Sequence, residues 1–120
     1  MLNPLDVFRR SRQGGPDPYS ADEVLAILRG EDQTERGQSA LEVIASPTAW
    51  LPANYQRVFG NLAWYAERLP TIFHLYRRGW APEQIGRRLS PLGGSWAVER
   101  TLELAANLIA EKLNRRALAA

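Results

Sequence analysis

Apolar residues recur along this chain at intervals of three and four, the spacing that gathers side chains on one face of an α-helix. Val24, Leu25, Ile27 and Leu28 follow Ser20-Ala21-Asp22-Glu23. That tetrapeptide is a capping box, in which the serine hydroxyl accepts the fourth residue's N–H and the glutamate reaches back to the serine's own N–H. A helix therefore begins there, and Gly30 ends it. Residues 30–39, GEDQTERGQS, are polar throughout and predict a surface loop with room for one helical turn. In SALEVIAS, residues 39–46, Leu41, Val43, Ile44 and Ala45 predict a buried two-turn helix, although so short an apolar run also fits a strand. Pro47 and Pro52 bracket a bent connection. From Pro52 to Arg68, the series Tyr55, Val58, Phe59, Leu62, Ala63, Ala66 and Leu69 predicts a long central strut, with Gly60 either a close helix crossing or a tolerated weakness.

Beyond Leu69, proline and glycine set the boundaries. Pro70 suits a first helical position and Gly79 can close a helix in the left-handed conformation, so Pro70 to Arg78 is one short helix. Pro82 opens a second, which stops near Leu89 because Pro91 excludes Ser90 from helical geometry and Gly93 and Gly94 follow. Ser95 caps a third, free of Pro and Gly to the end of the chain and about twenty residues long. Ile72, Leu75 and Tyr76, then Ile85 and Leu89, then Val98, Leu102, Ala105 and Ile109 give each helix one apolar stripe. The expected fold is all-α: five or six helices in one domain over 1–120. It comprises an arm (1–19), support helices (20–69) and a C-terminal tri-helical helix-turn-helix with a long last helix (70–116).

GWAPEQIGRRL, followed by Val98, Leu102, Ala105 and Ile109, resembles the helix-turn-helix of sigma-factor DNA-binding regions and of response-regulator and resolvase or transposase DNA-binding domains. The resemblance implies that Ile85 and Leu89 anchor a positioning helix, that Gly86 lets two helices cross closely, and that Val98, Leu102 and Ala105 anchor a recognition helix. The turn SPLGGSWA is longer than the compact form of that motif.

Charge sharpens this picture. The net charge is only +2, but residues 1–56 hold five Arg against eight Asp and Glu, whereas residues 57–120 hold ten Arg and Lys against five Glu. The basic half is the helix-turn-helix half. Arg77, Arg78, Arg87, Arg88 and Arg100 are the candidate phosphate contacts, although arginine at a helix C-terminus also complements the helix dipole. Ser95, Trp96, Glu99 and Arg100, with Glu103, lie off the core stripe near the start of the last helix. Arg100 could read guanine there and a glutamate could accept from cytosine, while the two acids would repel phosphate. Arg9, Arg10 and Arg12 make the N-terminal arm either a basic arm that touches DNA or an ordinary chain end.

Other chemistry finds little footing. There is no cysteine and one histidine, His74, which suits a structural role better than a catalytic one, and no Walker loop, dinucleotide fingerprint or zinc-protease motif occurs. The expectation is a protein that is not an enzyme and needs no cofactor or metal. It should be cytoplasmic, since no apolar run approaches a membrane span. Double-stranded DNA is the expected partner, with a helical protein-interaction module as the other reading. Leu104, Leu108, Leu113 and Leu118 add apolar surface on the last helix, where either a homodimer or packing against the strut would cover it. The four tryptophans, Trp50, Trp64, Trp80 and Trp96, are expected mainly to pack, and Trp96 alone could instead face a binding surface.

Overall fold

A computed structural model of the chain describes residues 17–90 and 95–119. The arginines of the N-terminal arm, the turn residues 91–94 and the side chain of Leu118 lie outside the described residues. Those described fold as α1 (Ala21–Arg29), α2 (Glu35–Ile44), α3 (Pro47–Trp50), α4 (Tyr55–Phe59), a 3-10 turn (Gly60–Leu62), α5 (Ala63–Ala66), α6 (Leu69–Arg77), α7 (Pro82–Leu89) and α8 (Ser95–Ala119). The fold is all-α, with no strand among the described residues.

The expected strut is broken, and the molecule is built around α8 instead. Gly60 sits at φ 57°, ψ −124°, outside any helical well. The chain between Pro52 and Arg68 is therefore two short helices joined by a 3-10 turn. A Cβ at Gly60 would meet nothing within 4 Å, so the glycine serves its backbone conformation and not a close helix crossing. Val58, assigned to the apolar stripe of that strut, is 41% exposed as a result. The 25-residue α8, about 37 Å long at 1.5 Å per residue, packs against α1, α2, α3, α5 and α7. Its buried residues come as neighbours once per turn: Ala97 with Val98, Thr101 with Leu102, Ala105 with Ala106, and Ile109 with Ala110. Two adjacent columns give α8 a buried face wide enough for helices on either side, where the sequence spacing had suggested one stripe. Thr101 is fully buried, and its hydroxyl donates to the Ala97 carbonyl at 2.7 Å, so burial leaves no polar group unsatisfied there.

The loop expected over residues 30–39 is helix in its second half, from Glu35 on. Thr34 caps α2, its hydroxyl accepting the Gly37 N–H at 3.2 Å, and Asp32 in turn accepts from the Thr34 N–H and hydroxyl. Gly37 is buried because the helix start folds back onto Asp32: a Cβ at Gly37 would lie 2.7 Å from the Asp32 carbonyl oxygen.

The capping box at α1 is only half formed. Ser20 does accept the Glu23 N–H at 3.1 Å, but the Glu23 carboxylate binds Arg36 through two hydrogen bonds, of 2.6 and 3.1 Å. Arg36 also donates to the Asp17 carbonyl and lies 3.8 Å from the Tyr19 ring centroid, while the Tyr19 hydroxyl donates to the Arg36 carbonyl. The Asn114 side chain completes the clamp, accepting the Tyr19 N–H at 2.7 Å and donating to the Tyr19 carbonyl at 3.0 Å. Residues 17–19 are thus docked against α2 and the far end of α8.

Candidate nucleic-acid interface

The end of α6 is set by Gly79 at φ 93°: the Trp80 N–H reaches the Leu75 carbonyl at 3.1 Å and the Gly79 N–H reaches Tyr76 at 3.0 Å. This is the glycine-closed helix end expected there, with Trp80 half-buried against the core. Two residues on, Pro82 opens α7, and the Gln84 side chain accepts the Ala81 N–H at 2.8 Å. Ile85 and Gly86 are buried, and α7 makes its main packing contact with α8 and a smaller one with α6. Val98 and Leu102 are buried on α8, as the sequence spacing predicts. Leu89 is only half-buried. Ser95 is the first residue of α8 and half-buried, so its expected place as the cap shifts by one position into the helix.

With the apolar face of α8 turned inward, Trp96, Glu99, Arg100 and Glu103 stand in solvent on its first turns. Trp96 is 62% exposed, the most exposed large apolar side chain of the described residues. Trp64 is also exposed, at 41%, with the Arg68 guanidinium 3.6 Å above its ring, so two of the four tryptophans do not pack in the core. Arg87 and Arg88 are exposed on α7.

Much of the charge on this surface is internally paired. Arg87 binds Glu83 one turn earlier, and Arg100 binds Glu103 at 3.0 Å. The exposed residues of α7 and of the first turns of α8 include three arginines (Arg87, Arg88, Arg100) and three glutamates (Glu83, Glu99, Glu103), so this surface carries no net charge. Magnitude decides what that means. Exposed pairs of this kind contribute at most about 1 kcal/mol, so an arginine can exchange its glutamate for a phosphate at little cost.

The two arginines that end α6 are both exposed, and one of them has a second setting. Arg77 also lines a cavity between α2, α3, α5 and α6, its side chain beside Gly30. Arg77 thus belongs to a second feature that the sequence spacing did not reveal. His74 is exposed on α6. Leu113 is buried, and Leu104 and Leu108 pack half-buried against the core, so most of the apolar surface that suggested a dimer through α8 is covered within the chain. No helix of the described residues is long and apolar enough to cross a membrane.

No family model, curated protein or solved structure matches this chain. Any functional reading therefore stands on the residues and their arrangement.

Proposed function

We propose that the chain is a sequence-specific DNA-binding protein, a small transcriptional regulator of helix-turn-helix type that inserts the first turns of α8 into a major groove with α7 lying across it. The observation that carries this reading is the exposure of Trp96, Glu99, Arg100 and Glu103 at one end of a long helix whose Val98 and Leu102 are buried. A helix presented by its N-terminal turns, backed by a second short helix, is the shape a major groove about 12 Å wide admits. Arg87, Arg88 and Arg78 supply candidate phosphate contacts beside it, and Arg100 a base contact.

Anisotropy of a labelled random-sequence duplex at roughly 50 and 200 mM salt tests the reading, since a few phosphate contacts change affinity by orders of magnitude over that range. The double variant Arg87→Ala, Arg88→Ala should lose most of the binding and lower the salt slope by about 2, one per contact removed, with an unchanged unfolding curve. No binding at the lower salt would rule the reading out.

A second reading has its own support. Trp96 is both exposed and apolar on a surface without net charge, as suits the anchor of a protein-protein contact. Under that reading Trp96→Ala abolishes partner binding, and salt has little effect.

A further inference from the structure

The cavity that Arg77 borders has a volume of about 640 Å³. Leu41 and Ile44 of α2, Trp50 of α3, and Leu69 and Phe73 of α6 give it apolar walls. The Trp50 indole N–H is already spent on the Ile44 carbonyl at 3.2 Å, and its ring leans on Phe73 with centroids 5.9 Å apart. Trp50 and Phe73 therefore offer ring surface to an occupant and no free donor.

Three polar groups reach this space, and only one has charge to spare. The Tyr55 hydroxyl donates to Glu67 at 3.2 Å, and the Arg68 guanidinium lies 3.8 Å from the same carboxylate. Glu67 is thereby offset by its own neighbours. Arg77 makes no ion pair among the described residues. Its stem passes Gly30, where an added Cβ would come within 3.7 Å of Arg77 Cγ, and the residue both lines the cavity and is exposed, so its flexible guanidinium is within the reach of one side chain from the cavity's edge.

We propose that this cavity binds a small organic anion, an apolar body about the size of two fused rings carrying a single carboxylate. The body lies against Trp50 and Phe73, and the carboxylate takes the Arg77 guanidinium. The volume falls within the range of small-molecule sites, roughly 300–1,000 Å³, and an apolar wall with one well-placed charge is their usual chemistry. A guanidinium matches a carboxylate through two parallel hydrogen bonds, which gives the site its preference for an acid over a neutral isostere. The inference stands apart from the DNA reading, and its test contains no DNA.

The experiment is isothermal titration calorimetry of the full chain with 2-naphthoate and with its neutral counterpart 2-naphthalenemethanol. Naphthoate should bind one per chain, about tenfold tighter than the alcohol, as one charge-assisted pair implies. Arg77→Gln should bring the acid down to the affinity of the alcohol. Ala45→Phe, at an exposed position on the rim, should weaken both, with urea unfolding curves showing each variant folded. Equal affinity for acid and alcohol, an Arg77→Gln variant that still prefers the acid, or no heat from either probe at millimolar concentration overturns the proposal. Binding that Ala45→Phe leaves untouched overturns it as well, because the probe then sits elsewhere.

Discussion

Replacing Gly37 by alanine sets two effects of known size against each other. Helix propensity favours the substitution by up to about 1 kcal/mol, since Gly37 lies inside α2. Packing opposes it. The new Cβ would stand 2.7 Å from the Asp32 carbonyl oxygen, 3.0 Å from Asp32 Oδ1 and 3.1 Å from its Cγ, and the nearest of these atoms is backbone. Relief requires the Asp32 segment to move, which strains the bonds from Thr34 to Asp32 at 3.0 and 2.5 Å and the Thr34 cap on Gly37 itself. A lost cap costs about 1 kcal/mol and overpacking typically 1–3 kcal/mol, so the net effect should be destabilising by about 1–2 kcal/mol. In urea, followed by circular dichroism, the midpoint should fall by roughly 1 M with an unchanged slope. In an Asp32→Ala background the penalty should shrink without vanishing, because the carbonyl oxygen remains. A Gly37→Ala protein as stable as the parent or more so would refute this reasoning and make Gly37 a mere weak point of the helix.

Three further outcomes are expected. Asn114→Ala removes both side-chain bonds to the Tyr19 backbone and should cost about 1–2 kcal/mol in urea unfolding, less than two full hydrogen bonds because alanine is the better helix former; an unchanged midpoint would mean the clamp contributes nothing. The Thr34 hydroxyl and N–H hold the Asp32 carboxyl below its ordinary value of 3.8, so its stabilising effect is present above that value and lost as pH falls through the lower folded value. The stability gap between the parent and Asp32→Asn should accordingly be constant from neutral pH to about pH 5 and narrow as pH falls further; a gap of unchanged size between pH 5 and pH 2 would refute the assignment. Under the DNA reading, Glu103→Gln frees Arg100 and removes an acid from the exposed face of α8, so duplex affinity in the anisotropy assay should rise several-fold, and weaker binding would mean that Glu103 itself reads a base.

The parts of the fold that were legible in the sequence are those that backbone chemistry dictates. Pro82 and Gly79 bound their helices because a missing N–H and a left-handed φ leave few alternatives, and α7 runs over the residues expected, Pro82 to Leu89. The second half of α2 is the helix expected over residues 39–46, while its first turn escaped notice for a physical reason. The buried positions Gly37, Ala40, Val43 and Ile44 do keep a helical rhythm, but glycine and alanine bury little apolar surface and read as neutral among polar neighbours. The break at Gly60 was illegible because the residue names a freedom and not a conformation: nothing nearby in the sequence reveals that φ is positive. The candidate interface divides the same way. Spacings of four and three made the pairs Glu83–Arg87 and Arg100–Glu103 available, whereas the cavity joins residues from α2, α3, α5 and α6 whose relative placement no local pattern encodes.

The dual use of α8 ties these observations together. From Ala97 to Leu113 the helix is the surface on which five others pack, yet at its first turns every residue off the buried columns is exposed or half-buried. A side chain on a helix so held needs no ordering of the backbone when a partner arrives, so its contact is charged only with its own rotamer entropy, about 0.5–1.5 kcal/mol per side chain. The Arg100–Glu103 and Arg87–Glu83 pairs add at most about 1 kcal/mol each where an arginine must leave its glutamate for a partner. A face of this kind attracts an arbitrary polyanion less than an all-arginine face would, and gains further affinity where each glutamate as well as each arginine finds a partner. Discrimination, more than raw affinity, is what this arrangement of charges would favour under either of the proposed readings.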